Sequence, residues 1–145
     1  MVTYKEMIVG TAERRTFLHR CFRDCLDDIL REGLGTDGNL LSTATAQPFE
    51  VEDAINIYHN GRDHGDSVAV IHIPRELWET ASKKANGCEV TTKEIGYFHP
   101  RIRMFTVHPK FVVAWINRKT DNVHFNPYLD RKPAEGYEEF DYMLG

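Results

Sequence analysis

Arg15-Thr16-Phe17-Leu18-His19-Arg20-Cys21-Phe22, running on through Arg23 to Glu32 and then Gly33-Leu34, is the stretch whose reading decides the fold. Its first eight residues are rich in aromatic and β-favouring side chains and predict a strand. In the next ten, Leu26, Ile29 and Leu30 share a face with Phe22, while Asp27, Asp28 and Arg31 fall on the other, which predicts an amphipathic helix. Gly33 supplies a left-handed stop, and Leu34 beyond it can pack back on Ile29, as a Schellman motif allows.

Outward from this unit the chain alternates element types. Gly35 to Asn39 reads as a loop, and Leu40-Leu41-Ser42-Thr43 as a short strand. Pro48 fits the first turn of a second helix, in which Val51, Ala54, Ile55 and Tyr58 recur at helical spacing before Asn60-Gly61 ends it. Ser67 to Ile73 is almost wholly apolar and β-branched, the pattern of a central strand covered on both faces. Pro74 closes that strand and opens a third helix to about Lys84, with Leu77, Trp78 and Ala81 as its apolar stripe. After Gly87 the reading is mostly strand: Cys88 to Thr92, Arg101 to Val107, Phe111 to Asn117 and Val123 to Phe125, with a hairpin loop over Arg118 to Asn122. Three helices mainly in the first half and strands late imply an α+β fold with a mixed, largely antiparallel sheet.

Composition bounds the function classes. The 145 residues are 41% apolar and 28% charged, which fits one globular domain over 1–145. The longest apolar run, Phe111 to Ile116, is too short to cross a bilayer. Met1 to Glu6 has neither the basic start nor the apolar core of a secretory signal, so a cytoplasmic site is expected. Cys21, Cys25 and Cys88 make no complete disulfide framework and are expected to be reduced, with buried packing as their role. The net charge of −4 is unevenly spread: residues 1–72 carry −5, whereas Lys93 to Lys119 holds six basic residues against one acid, Glu94. That stretch could meet phosphate. No GxGxxG or Walker A loop is present, so neither route to dinucleotide binding is supported by a motif.

A strand bearing Phe17-Leu18-His19-Arg20, a helix ending Ile29-Leu30-Arg31-Glu32-Gly33-Leu34 and a short Leu41-Ser42-Thr43 strand resemble the opening of ADP-ribosyltransferase-like proteins. The later run from Phe105 to Ile116, with Pro109 at a crossing into a strand, is similar to the same group, including its tRNA 2′-phosphotransferase and DNA-targeting toxin branches. The resemblance touches about two-thirds of the chain. It implies a split sheet that grips NAD as substrate and transfer of ADP-ribose to a macromolecular acceptor, protein or nucleic acid. By position His19 or Arg20 contacts the adenosine-side ribose, and Ser42 with Thr43 supports the nicotinamide pocket. The family's late glutamate belongs on a strand where this chain has Arg101, Ile102, Arg103 and Met104. Either an insertion makes Glu94 the catalytic acid, with Glu89 further back, or the acid is absent and the fold binds without transferring. The resemblance thus names Glu94 and His19 as catalytic candidates, and His19, Arg20, Ser42 and Thr43 as NAD-binding ones. A carboxylate beside the ribose would stabilise the oxocarbenium-like centre left by departing nicotinamide.

The remaining chemistry-bearing residues read more plainly. Tyr58 is a conceivable ring partner for nicotinamide, but its helical spacing favours core packing. His59, Asp63, His64 and Asp66 have metal-ligand chemistry at a spacing that matches no zinc pattern, so an exposed turn is the better reading and no metal is assigned. His72, inside an apolar strand, suits a satisfied core histidine, and His99 and His108 precede prolines in extended or turn backbone. The competing function is a non-catalytic α+β module whose basic aromatic strand, within 93–119, engages a protein or nucleic acid. In that strand Arg101, Arg103, Phe105 and Val107 would point one way. The acidic, aromatic segment from Asp130 to Gly145 is expected to dock as an amphipathic segment or to meet a partner.

Overall fold

The computed structural model describes residues 2–35, 55–56, 58–59, 65–88, 90, 92–99 and 103–129. Two antiparallel sheets organise them. The larger has the strand order β1-β3-β6-β7, formed by β1 (Arg14–Cys21), β3 (Ser67–Pro74), β6 (Val112–Asn117) and β7 (Asn122–Phe125). The smaller has the order β2-β5-β4, from β2 (Leu34–Gly35), β5 (Met104–Val107) and β4 (Tyr97–His99). Every strand pairing among the described residues is antiparallel. Their helices include α1 (Tyr4–Ile8), α2 (Arg23–Glu32), α3 (Arg75–Ala85) and α4 (Thr92–Ile95). The α+β class therefore holds, with short α1 and α4 added to the expected helices.

β3 is central because its side chains suit no surface: Val68, Ala69, Val70, Ile71 and Ile73 are all buried, between β1 and β6. Alternation along it feeds two cores. Ala69, Ile71 and Ile73 join Phe17, Leu26, Ile29, Leu30, Val107 and Trp115 on the face covered by α2 and the small sheet. Val68 and Val70 join Leu18, Ala114, Ile116, Tyr58, Met7 and Ile8 on the face covered by α1. A bulge in β6 sets Ile71 opposite Val112 and Val70 opposite Ala114, which turns Val113 toward the α1 side.

The strand-to-helix unit forms as its sequence predicts, with two physical refinements. Phe22, at the N-cap of α2, offers no capping side chain; Asp66 supplies it instead, its carboxylate accepting from the Arg23 N–H at 3.1 Å across 43 residues of sequence. Gly33 takes φ 90° and ψ 176°, a positive-φ extended conformation rather than left-handed helix, so the chain leaves α2 straight into β2. Leu34 is thereby buried in the same core as Ile29.

Other expectations are corrected. Of the strand expected over Cys88 to Thr92, Cys88 is in a bend, Val90 is in no regular element and Thr92 begins α4, while Glu89 and Thr91 lie outside the described residues. Of the strand expected from Arg101 to Val107, β5 covers Met104–Val107, Arg103 takes φ 57° in a turn before it, and Arg101 and Ile102 lie outside the described residues. The hairpin loop after Asn117 is as expected, closed by the Asp121 N–H donating to the Asn117 carbonyl at 2.7 Å. Of the second helix, Ile55, Asn56, Tyr58 and His59 are helical, while Val51 and Ala54 lie outside the described residues, as do Leu40 to Thr43 and Asp130 to Gly145. All three cysteines are free, but only Cys21 is buried; Cys25 and Cys88 are exposed and do not pack as expected.

Candidate functional site

His19 lies near the end of β1, an edge strand of the large sheet, opposite Ala69. Register then places Ala69 opposite Trp115 and Trp115 opposite His124, so His19, Ala69, Trp115 and His124 form one row across the sheet. The His124 ring stacks on the Trp115 indole at 4.4 Å, and the Arg23 guanidinium, from the first turn of α2, sits 4.2 Å from the same ring. α2 thus reaches back over the row that contains His19. Burial, helped by the neighbouring Arg20 charge, lowers the His19 pKa, so the ring is neutral at pH 7 and presents one N–H donor and one acceptor nitrogen.

Arg20 faces the other way. Its register partner Val68 belongs to the α1-side core, whereas Phe17 and Cys21 belong to the α2 side together with the row of His19. His19 and Arg20 therefore cannot line the same cleft on one face of the sheet. Glu94 is carried by α4, which packs against α3 and β5, beside the small sheet. Ser42 and Thr43 lie outside the described residues.

Of the His59 to Asp66 loop, Asp63 and His64 lie outside the described residues. Asp66 is committed to structure, accepting from the Arg23 N–H and from the Ser67 hydroxyl at 3.2 Å. Buried Arg118 clamps the loop's two ends, donating to the Gly65 and Tyr58 carbonyls at 3.2 Å each. Tyr58 is only 1% exposed, its hydroxyl donating to Asp121 at 2.7 Å. Burial and that carboxylate push its pKa far up. This is a core tyrosine, as its helical spacing indicated, and the network around it joins the loop to the β6–β7 hairpin. Among the described residues no three His, Cys, Asp or Glu side chains cluster as a metal site would require.

His72 donates to the Met7 carbonyl at 2.9 Å, tying α1 to the sheet, and burial holds its pKa down at about 4. His108 caps the 3-10 turn Pro109–Phe111 by accepting from the Lys110 N–H at Nδ1, 3.0 Å away. Both are structural. Sequence reasoning missed Arg23 and His124, although the alternation of β6 and β7 around their hairpin loop already aligned Trp115 with His124.

A cavity of about 610 Å³, lined by residues including Tyr4, Lys5, Asp121 and His124, opens beside β7. It sits at the opposite edge of the sheet from β1 and contains neither His19 nor Glu94. No helix among the described residues is long and apolar enough to cross a membrane. No family model, curated protein or solved structure matches the chain.

Proposed function

We propose that the protein is ADP-ribosyltransferase-like, binding NAD as substrate on the His19 side of the large sheet and transferring ADP-ribose to a macromolecular acceptor. The observation that carries this reading is the division of the strands into two antiparallel sheets, with β1, α2 and β2 as the crossing between them and His19 beside that crossing. In the reaction the ribose C1′–nicotinamide nitrogen bond breaks and its electron pair neutralises the pyridinium. The acceptor's nucleophile then closes on C1′ and gives up its proton. Neutral His19 is suited to hydrogen-bond a ribose hydroxyl without repelling the cationic ring, and Glu94 is the candidate for the carboxylate beside the developing charge. Arg20, on the other face, has no part in a cleft on that side. In the competing reading of a basic aromatic strand, Arg103 stands in the turn before β5, Phe105 and Val107 lie within β5, and Arg101 lies outside the described residues. A cytoplasmic location fits a reaction fed by NAD.

Titration of NAD into the pure protein, with label transfer from radiolabelled NAD to a cell extract, tests the proposal. His19→Ala is expected to weaken NAD binding about tenfold or more, the cost of losing one buried hydrogen bond to the ligand. Glu94→Ala is expected to spare binding and abolish transfer. Absence of both binding and transfer in the wild type would end the reading.

A further inference from the structure

At the far end of β1 from His19, two arginines meet without an acid. Arg15 is the second residue of β1 and Arg75 the first of α3. Arg15 pairs in register with Ile73, two residues before Arg75. Arg75 and Trp78 stand at i and i+3 on α3, where side chains are neighbours. The Arg15 guanidinium stacks on the Trp78 ring at 4.6 Å and lies 5.6 Å from the centre of Phe17. Arg75 is held by its Nε, which donates to the Thr11 carbonyl at 2.7 Å.

Among the described residues neither guanidinium is in an ion pair; the ion pairs there both belong to Arg31. Arg15 Nε and Arg75 Nη2 are buried with no acceptor, although both residues keep part of their side chain exposed. Glu13, the adjacent acid, acts on Arg14, which points to the other face toward α1 and His72. Two like charges near enough to act on one another, one held by stacking and one by a backbone bond, cost free energy that an anion between them would offset. Burial and the Arg75 charge both lower the Arg15 pKa, yet at neutral pH it stays charged.

We infer that Arg15 and Arg75 form a phosphate-binding site, in which one oxyanion bridges the two guanidiniums beside the Trp78 ring on which Arg15 stacks. Phosphate is favoured because its several oxygens can accept from two planar donor forks at once. The site is four residues along β1 from His19, about 13 Å at strand rise and on the same face of the sheet, and it is read at the arginine signals rather than at His19.

The test is a titration of ¹⁵N-labelled protein, at constant ionic strength, with inorganic phosphate, with a nucleoside monophosphate and with sodium chloride, following the arginine Nε–Hε signals. Saturable shifts of the Arg15 and Arg75 signals with phosphate, and none with chloride, are expected. Arg15→Gln and Arg75→Gln should each weaken the response of the remaining arginine about tenfold, a loss of about 1.4 kcal/mol. Equal response to both phosphate probes identifies free phosphate as the ligand, and a tighter nucleotide response identifies a phosphorylated nucleoside. Identical shifts with chloride, or saturation unchanged in either variant, would overturn the inference. If a variant does not fold, the wild-type comparison of phosphate with chloride decides alone. Because His19 signals report NAD independently, failure here leaves the NAD reading intact, and the reverse also holds.

Discussion

The two sheets are built by different means. In the large sheet, β3 is covered on both faces and neighboured on both edges, so its register with β1 is held over eight consecutive pairs from Arg14–Pro74 to Cys21–Ser67. In the small sheet, β2 offers two residues and β4 three, and Phe98 is 41% exposed while packing edge-on against Phe105 at 5.4 Å. The large sheet is a consequence of side-chain burial. The small one is held by close backbone approach and by the single face that Leu34 and Val107 turn into the shared core. The difference teaches where the molecule can change without unfolding.

The largest effect should come from Gly65→Ala, which strikes the large sheet. Gly65 has φ 140°, and a Cβ there would stand 2.2 Å from the Cys21 carbonyl oxygen at the end of β1. Strain and overpacking together should cost about 3 to 5 kcal/mol. The loss should appear as a lower urea midpoint with every backbone amide of β1 and β3 exchanging faster. If the protection of β3 were unchanged, the sheet would not be the single cooperative unit its register describes.

The second effect is acid-dependent and also belongs to the large sheet. His72 is held at about 4 against an ordinary 6.5, chiefly by burial, so the folded state favours the neutral ring. Between pH 6.5 and 4 the unfolded chain binds the proton that the folded one refuses, and stability falls as pH falls. The full loss is about 3 kcal/mol, with His19, lowered in the same sense, adding to it. Urea titrations across that range should show His72→Gln with a flatter profile than wild type. An unchanged slope would mean that the carboxylates, rather than the histidine under α1, set the acid limit.

The contrast between sheets also explains what the sequence could tell. β1, α2, β3, α3 and the β6–β7 hairpin carry their own patterns: amphipathic period, β-branched runs and a turn signal. Each pattern states which face is buried, and burial is what makes those elements. Non-local features have no such trace. Asp66 caps α2 from 43 residues away. Asn126 joins the Leu30 carbonyl of α2 to the Val112 carbonyl of β6, at 2.8 and 2.7 Å. The site was legible in the same proportion. The strand that carries His19 and Arg20 is legible, and its alternation sends the two to opposite faces, whereas the placement of Arg23 over Trp115, with its N–H bonded to Asp66, leaves no local trace.

The smallest effect should be confined to the small sheet. A Cβ on Gly96 would stand 2.3 Å from the Thr106 carbonyl oxygen and 2.7 Å from that of Thr92, so Gly96→Ala must push α4 and β4 away from β5. Since β4 carries only three residues and an exposed ring, that movement can be absorbed locally at about 1 to 2 kcal/mol. Amides of β4 and β5 should lose protection while those of β3 keep theirs, the reverse of the pattern expected for Gly65→Ala. Glu94 rides on α4, so on the proposed function the same substitution should reduce ADP-ribose transfer while leaving NAD affinity close to wild type. Equal loss of protection in both sheets would show them to be one cooperative unit and remove the physical basis for treating Glu94 and His19 as separately movable halves of a site.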